Sequence, residues 1–141
     1  MDVVLGQHNL KEKGLDFGSG KASVIAHLLR QQNFDVTEYD PLFFPNEQIL
    51  YSRYDYVTCT EVIEHFQEPR RGLNTLFSLL KPGGRAYVKT SLTDGIANFS
   101  QWYYQRDPTH VSFYNQKSLE FIKKNWGLTS MQICKDYITF Q

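Results

Sequence analysis

The sequence lacks the features that mark disulfide-rich secreted domains and membrane proteins. Two cysteines, Cys59 and Cys134, are too few for a disulfide framework in a chain of this size. No apolar run reaches the roughly 18 residues that a membrane span needs. The first residues, 1–4, carry no basic stretch leading into an apolar one, as a signal peptide would. These absences predict a cytoplasmic protein with reduced thiols.

An excess of positive charge is also missing. Lys and Arg together number 15, and Asp and Glu together number 15, so the formal net charge is zero. Proteins that bind the phosphate backbone of nucleic acids usually show a basic excess. The balance therefore disfavours RNA or DNA as a bulk electrostatic partner, although it leaves a local site open.

The length allows one domain and one hydrophobic core. The chain has 141 residues, 41% of them hydrophobic, which is typical of a globular domain. A cofactor domain with a separate substrate domain would not fit into this length. We therefore expect residues 1–141 to form a single domain.

Strand and helix patterns alternate along the chain. Residues 14–17, 34–39, 54–60 and 85–92 have the composition of strands, and residues 21–32, 69–80 and 118–126 place apolar residues at helical spacing. One or two helical turns are expected over 61–66, a turn over 81–84, and a long loop over 93–110. Closing strands are expected over 128–134 and 137–140. This order predicts a doubly wound α/β fold with a mostly parallel sheet and an antiparallel C-terminal edge hairpin.

A glycine-rich turn over residues 16–22 follows the first strand. Such turns let a backbone approach a ligand closely, and the next helix offers unpaired N–H groups. A phosphate-binding loop is excluded because its required positions hold Leu15 and Ala22, and Ser19 lacks the outer glycines of a nucleophile elbow. A nicotinamide fingerprint is excluded because Ser23 stands where its third glycine belongs.

Two acids accompany this turn. Asp16 lies two residues before Gly18, and Asp40 lies at the tip of the second strand, where it can accept bonds from both ribose hydroxyls of an adenosine group. Each acid alone has a structural explanation, because Asp16 can cap the turn and Asp40 can begin an Asp-Pro turn. The pair at this separation favours a nucleoside cofactor.

Four ordered segments carry a family resemblance. Residues 15–20, 39–41, 55–65 and 80–84 resemble the class I S-adenosylmethionine-dependent methyltransferases. The Glu-Val-Ile-Glu-His element at 61–65 and the segment 106–114 are similar to the branch that holds ubiquinone-biosynthesis O-methyltransferases. The resemblance covers about residues 14–134 and implies a Rossmann-like fold.

The chain departs from the family pattern in three places. Ala22 replaces the third glycine of the turn, and the stretch between Asp40 and Asp55 is short. The N-terminal helices that commonly cap the substrate are missing before Leu10. The last departure would leave the acceptor pocket open, or completed by another subunit in a homodimer or by a large substrate.

The resemblance implies residue roles. Asp16, Gly18, Ser19 and Gly20 would lie around the methionine part of S-adenosylmethionine, and Asp40 would hold the ribose. Pro41 or Leu42 would lie against the adenine. Thr60 and Glu61 would line the floor near the methyl group.

The resemblance also offers a metal site. Glu61, Glu64 and His65 have i, i+3, i+4 spacing and would share one helical face. With His110, they would bind a divalent cation that lowers the pKa of an acceptor hydroxyl. The alternative is a common post-strand helix start in which these side chains cap or line the pocket. His110 is a candidate general base, and His65 and Glu61 are further catalytic candidates.

Three functions remain open at this stage. The leading one is methyl transfer to an oxygen, or less favourably a nitrogen, of a small molecule. The others are a metal-assisted ribose 2′-O-methyltransferase, which the charge balance disfavours, and a non-catalytic binding module, which Ala22 and the absent cap suggest. The aromatic-rich stretch 98–114 either stacks on the acceptor or covers the last strands.

Overall fold

A computed structural model describes residues 2–141, which form one six-stranded sheet between two helical layers. The strands are Lys13–Phe17 (β1), Asp35–Tyr39 (β2), Tyr54–Thr60 (β3), Leu80–Lys89 (β4), Met131–Ile133 (β5) and Ile138–Phe140 (β6). Their order is β2-β1-β3-β4-β6-β5. The first four are parallel, whereas β6 runs antiparallel to both β4 and β5. This confirms the predicted sheet and its antiparallel edge hairpin.

Two helices cover each face of the sheet. They are Asp2–Gln7 (α1), Val24–Gln31 (α2), Pro69–Ser78 (α3) and Gln116–Asn125 (α4). Alternate strand residues face opposite layers, so Tyr56 packs with α1 and α2, while its neighbour Val57 packs with α3 and α4. This arrangement confirms the doubly wound architecture. Within residues 2–141, no helix is both long and apolar enough to cross a bilayer.

Several element boundaries differ from the predicted ones. Helix α2 begins at Val24 rather than at residue 21, because the Ser23 side chain accepts a hydrogen bond from the Ala26 N–H and caps the helix there. Strand β4 begins at Leu80 and continues through the predicted turn 81–84 by an irregular register against β3. It ends at Lys89, before the predicted limit of Leu92.

Two connecting segments hold only short 3₁₀ turns. Between β2 and β3 the turn is Glu47–Tyr51, and after β4 the turns are Phe99–Gln101 and Tyr103–Arg106. Residues Asp2–Gln7 form α1, a helix that the sequence patterns did not predict, and its Val4 packs against the sheet beside Tyr56 and Tyr87. The short segment between Asp40 and Asp55 holds only its 3₁₀ turn and lacks a strand and an α-helix, as expected from its length.

Candidate active site

The glycine turn lies at the carboxyl end of β1. Gly18 and Gly20 both have a positive φ, 75° and 65°, which glycine adopts at little cost. The N–H groups of Gly18 and Ser19 donate to the Tyr39 carbonyl at 2.8 and 3.1 Å, so the turn is attached to the end of β2. A Cβ at Gly18 would overlap the Val62 side chain, whereas the space around Gly20 is open. Gly18 thus serves packing, and Gly20 leaves room beside the turn.

Asp16 holds the turn in place from below. Its carboxylate is buried and accepts hydrogen bonds from Ser23 Oγ at 2.5 Å and from Thr58 Oγ1 at 2.7 Å. Burial raises the pKa of Asp16 above its ordinary value. Because Ser23 also caps α2, Asp16 ties the turn both to that helix and to β3. The predicted contact of Asp16 with the methionine part of the cofactor stays a prediction.

Asp40 organises the end of β2. Its Oδ1 accepts hydrogen bonds from the Leu42 and Phe43 N–H groups, and its Oδ2 accepts one from the Gly20 N–H at 2.9 Å. A carboxylate offers about four acceptor positions, so one remains at Oδ2. Asp40 therefore begins the Asp-Pro turn and contacts the glycine turn at once. Holding two ribose hydroxyls would require one of these backbone donors to move aside.

Ser19 carries an unpaired buried hydroxyl. Its Oγ is shielded from solvent and has no hydrogen-bond partner among residues 2–141. Buried hydroxyls in folded proteins almost always have a partner, since an unpaired one costs free energy. This orphaned group lies between two positive-φ glycines at the carboxyl edge of the sheet. The turn thus fits a bound molecule that supplies the missing hydrogen bond.

The remaining predicted cofactor residues lie nearby. Pro41 is exposed just after β2, followed by Leu42, which is 81% exposed. Thr60 is half-buried at the end of β3. These side chains occupy the carboxyl edge, where ligands of open α/β sheets bind.

A buried carboxylate network follows β3. The Tyr104 hydroxyl lies 2.8 Å from Glu61 Oε2 and 2.5 Å from Glu64 Oε1, and Thr90 Oγ1 donates to Glu64 Oε2 at 3.0 Å. Glu64 is fully buried, and burial raises the pKa of its carboxyl group. Burial likewise raises the pKa of Tyr104, so this hydroxyl keeps its single proton. It can donate to one carboxylate at a time.

The prediction of one helical face for Glu61, Glu64 and His65 is wrong. Glu61 has a φ of 55°, in the left-handed region, and the 3₁₀ turn begins only at Ile63. Glu61 therefore shares no helical face with the other two, although the Tyr104 hydroxyl lies within hydrogen-bond distance of both Glu61 and Glu64. Non-glycine residues in this conformation are uncommon and cluster at functional sites.

Two histidines lie beside Glu64. Their rings are 4.8 Å apart, and ligand atoms of Glu64, His65 and His110 all lie within 4.8 Å of one another. His65 Nδ1 donates to the Thr109 carbonyl at 3.0 Å, and His110 Nδ1 donates to the Tyr104 carbonyl at 2.7 Å. Since a carbonyl can only accept, Nε2 carries the lone pair in each neutral ring. The structure thus assembles three of the four predicted metal ligands without Glu61.

The aromatic stretch both covers the core and stays partly exposed. Tyr104 is buried against Trp102 and His110, with ring centroids 5.1 and 4.1 Å apart. Tyr103 and Phe99 are 73% and 45% exposed. The sequence pointed to Tyr104 only as a member of this aromatic stretch and did not single out Thr90, because each meets Glu64 only through the fold.

A cavity of about 440 Å³ adjoins Glu61. Lys89 and Thr90 at the end of β4 form one wall, and the turn between β5 and β6, with Lys135, forms another. It therefore opens at the carboxyl edge, next to the carboxylate network.

A doubly wound sheet with a glycine turn after its first strand and an acid at the end of the neighbouring strand is typical of Rossmann-like cofactor-binding domains. The family described as a methyltransferase domain matches residues 2–133, and the chain belongs to that family. This confirms the resemblance found in the sequence.

Individual relatives agree with this assignment. The chain is similar to the ubiquinone biosynthesis O-methyltransferase of Acinetobacter baumannii, with 31% identity over 80 residues, covering 55% of this chain and 33% of that protein. It spans a third or less of the length of the first curated relatives that it matches.

Solved structures share the fold. A 1,6-didemethyltoxoflavin-N1-methyltransferase of Burkholderia thailandensis, solved with S-adenosylhomocysteine, has a TM-score of 0.63 at 20% identity over 98% of this chain and 72% of that one. A mitomycin 7-O-methyltransferase has a TM-score of 0.68 at 14% identity over 97% of this chain and 50% of that one.

Proposed function

We propose that this chain binds S-adenosylmethionine at the glycine turn and transfers its methyl group to an oxygen of a small molecule. The family supports the cofactor, and the unpaired Ser19 hydroxyl supports its place. The bound sulfonium supplies an already activated methyl group. The protein's task is then to hold donor and acceptor in line at short distance.

The residues of the turn supply contacts rather than chemistry. Ser19 would donate its free hydroxyl proton to the cofactor or accept a hydrogen bond from it, and Asp40 would accept a ribose hydroxyl at the open position of Oδ2. Asp16 keeps the turn in shape through Ser23 and Thr58. Pro41 and the exposed Leu42 would provide the apolar contact for the adenine.

The acceptor would occupy the cavity beside Glu61. Its volume of about 440 Å³ suits a small molecule. Glu61 lines this cavity with one carboxylate oxygen on Tyr104, and its other oxygen would take the proton from an acceptor hydroxyl. The relatives named O-methyltransferases support oxygen as the acceptor atom.

Ser19→Ala tests the cofactor site. If a bound ligand pairs with the Ser19 hydroxyl, removing that hydroxyl should stabilise the free protein by about 1 kcal/mol. It should also weaken S-adenosylhomocysteine binding by a similar free energy, close to fivefold. Urea unfolding and calorimetric titration measure these two effects of opposite sign. Ser100→Ala is the control, because Ser100 lies in the loop after β4 and already pairs with Asn98. Lower stability with unchanged affinity would contradict the assignment.

A transfer assay tests the reaction. We expect release of S-adenosylhomocysteine with at least one member of a panel of hydroxylated small molecules. Transfer to amines alone would make the chain an N-methyltransferase. Tight cofactor binding without transfer to any acceptor would favour the non-catalytic module.

A metal-assisted reaction is the second candidate, and the two histidines favour it. Each Nδ1 is anchored on a backbone carbonyl, which is how proteins commonly orient imidazole ligands for a metal. One ligand atom from each histidine and from Glu64 lie within 4.8 Å of one another, as binding of a divalent cation requires, whereas Glu61 lies outside the group. A bound cation would lower the pKa of an acceptor hydroxyl.

Calorimetric titration with Mn²⁺ separates this candidate from the metal-free one. Binding should be lost in His65→Ala and kept in His27→Ala, since His27 lies on the exposed side of α2, where it pairs with Gln31. Equal binding of Mn²⁺ by both variants would contradict a metal site at His65. Ribose methylation of RNA would additionally require RNA binding that weakens steeply with salt, which the zero net charge does not favour.

A further inference from the structure

A second cavity lies in the groove between α3 and α4, and none of its lining residues belongs to the glycine turn. Its volume is about 380 Å³. Leu73 on α3 and Ile122 on α4 form its apolar sides, and Tyr114 and Trp126 add aromatic surface. The volume and the mostly apolar lining are those of small-molecule sites.

A side-chain hydrogen bond joins the two helices beside the groove. The Trp126 indole N–H donates to Asn74 Oδ1 at 2.8 Å, which joins the end of α4 to the middle of α3. Phe121, a large aromatic residue on α4, is 63% exposed at the rim rather than buried between the helices. The hydrogen bond thus links the two helices beside an apolar slot with an aromatic edge.

One positively charged side chain lines one end of this slot. Arg70 lies there, and within the described chain no carboxylate oxygen comes within 4.0 Å of its guanidinium. The adjacent Arg71, in contrast, lies 4.0 Å from Glu68. Arg70 also stands in the first turn of α3, a ten-residue helix whose N-cap residue, Glu68, makes no side-chain capping bond. The helix dipole adds to the arginine charge at this end.

We propose that this groove binds a small amphipathic anion: a flat apolar body between Leu73, Phe121 and Trp126, with a carboxylate at Arg70. The apolar walls favour burial of an aromatic or branched aliphatic body. The guanidinium favours a planar carboxylate, which it can hold by two hydrogen bonds. The site is separate from the glycine turn and does not depend on the proposed methyl transfer.

Naphthoate is a probe of this class, and naphthamide is its neutral counterpart of the same shape. In two-dimensional ¹H–¹⁵N NMR spectra, naphthoate should shift the Trp126 indole signal and the first-turn amides of α3. Naphthamide should bind about tenfold more weakly, because it lacks the charge that Arg70 recognises. Saturation with S-adenosylhomocysteine should leave naphthoate binding unchanged.

Arg70→Ala and Arg71→Ala form a matched pair of exposed variants. We expect Arg70→Ala to weaken naphthoate binding about tenfold and Arg71→Ala to leave it unchanged. Equal weakening by both would show a diffuse charge effect and overturn the proposal. Equal binding of naphthamide, competition by S-adenosylhomocysteine, or a dimer interface that covers Phe121 in solution would overturn it as well.

Discussion

At the scale of single residues, Gly14 has a packing role that the spacing of residues along the sequence does not reveal. It lies within β1, not in a turn, and a Cβ at this position would overlap the ring of Tyr56 on β3. Tyr56 is fully buried and its ring lies 4.5 Å from that of His8. The missing side chain of Gly14 therefore makes room for an aromatic residue that joins the sheet to the N-terminal segment.

Gly14→Ala should lower the free energy of unfolding by about 1–3 kcal/mol, because the added methyl group overpacks the core. Gly6→Ala is the matched control, since nothing lies within 4 Å of a Cβ at Gly6 and the residue is helical. That change should be neutral or stabilise by up to about 1 kcal/mol. Urea unfolding curves measure both. Equal effects of the two substitutions would argue against the close approach of Tyr56.

At the scale of elements, His8 attaches the N-terminal helix to the sheet. Its Nε2 lies 2.9 Å from the Tyr87 hydroxyl on β4, and its Nδ1 lies 3.2 Å from Glu12. The side chain is only 8% exposed. Burial lowers the pKa of His8 below its ordinary value of 6.5, although Glu12 acts in the opposite direction.

The stability of the protein should depend on this histidine below pH 6.5. A lowered pKa means that the unfolded chain binds the proton more readily than the folded one. The stability that neutral His8 contributes is therefore fully present above pH 6.5, and it is lost as the pH falls through the lower pKa that His8 has in the folded protein. Chemical unfolding between pH 7 and 5 should show this decline, and His8→Gln should flatten it. His27→Gln should keep the wild-type slope; if both variants keep it, His8 is not the group responsible.

At the scale of the whole molecule, the sheet ends on one side at β2. In residues 2–141, only β1 pairs with this strand. Unpaired edges promote association with other chains. Arg30 of α2 covers this edge, because its Nε and Nη2 donate to the Val36 carbonyl at 3.0 and 2.7 Å and its Nη1 contacts Glu38.

Arg30→Ala should uncover the Val36 carbonyl and promote pairing between β2 edges. The average mass measured by light scattering should rise with concentration in this variant more than in the wild type. Gln31→Ala, on the same helix, is the control. An identical mass for all three proteins would show that Arg30 does not protect the edge. The homodimer, one of the alternatives that the sequence left open, stays a prediction, and the wild-type mass tests it.

From β1 onward, the residues by themselves determined the order of strands and helices, the antiparallel edge and the position of the glycine turn, whereas α1 was not predicted. These features depend on local periodicity and on glycine and proline chemistry, which a window of a few residues contains. They also determined the family, since its motifs are short and ordered along the chain.

Only the tertiary structure decided how the site is assembled. Glu61 meets Tyr104 across 43 positions of sequence, and Asp16 meets Thr58 across 42. No local pattern encodes such contacts, because they arise when distant elements pack on one sheet. The left-handed backbone of Glu61 likewise turned it away from the helical face on which its spacing would have placed it.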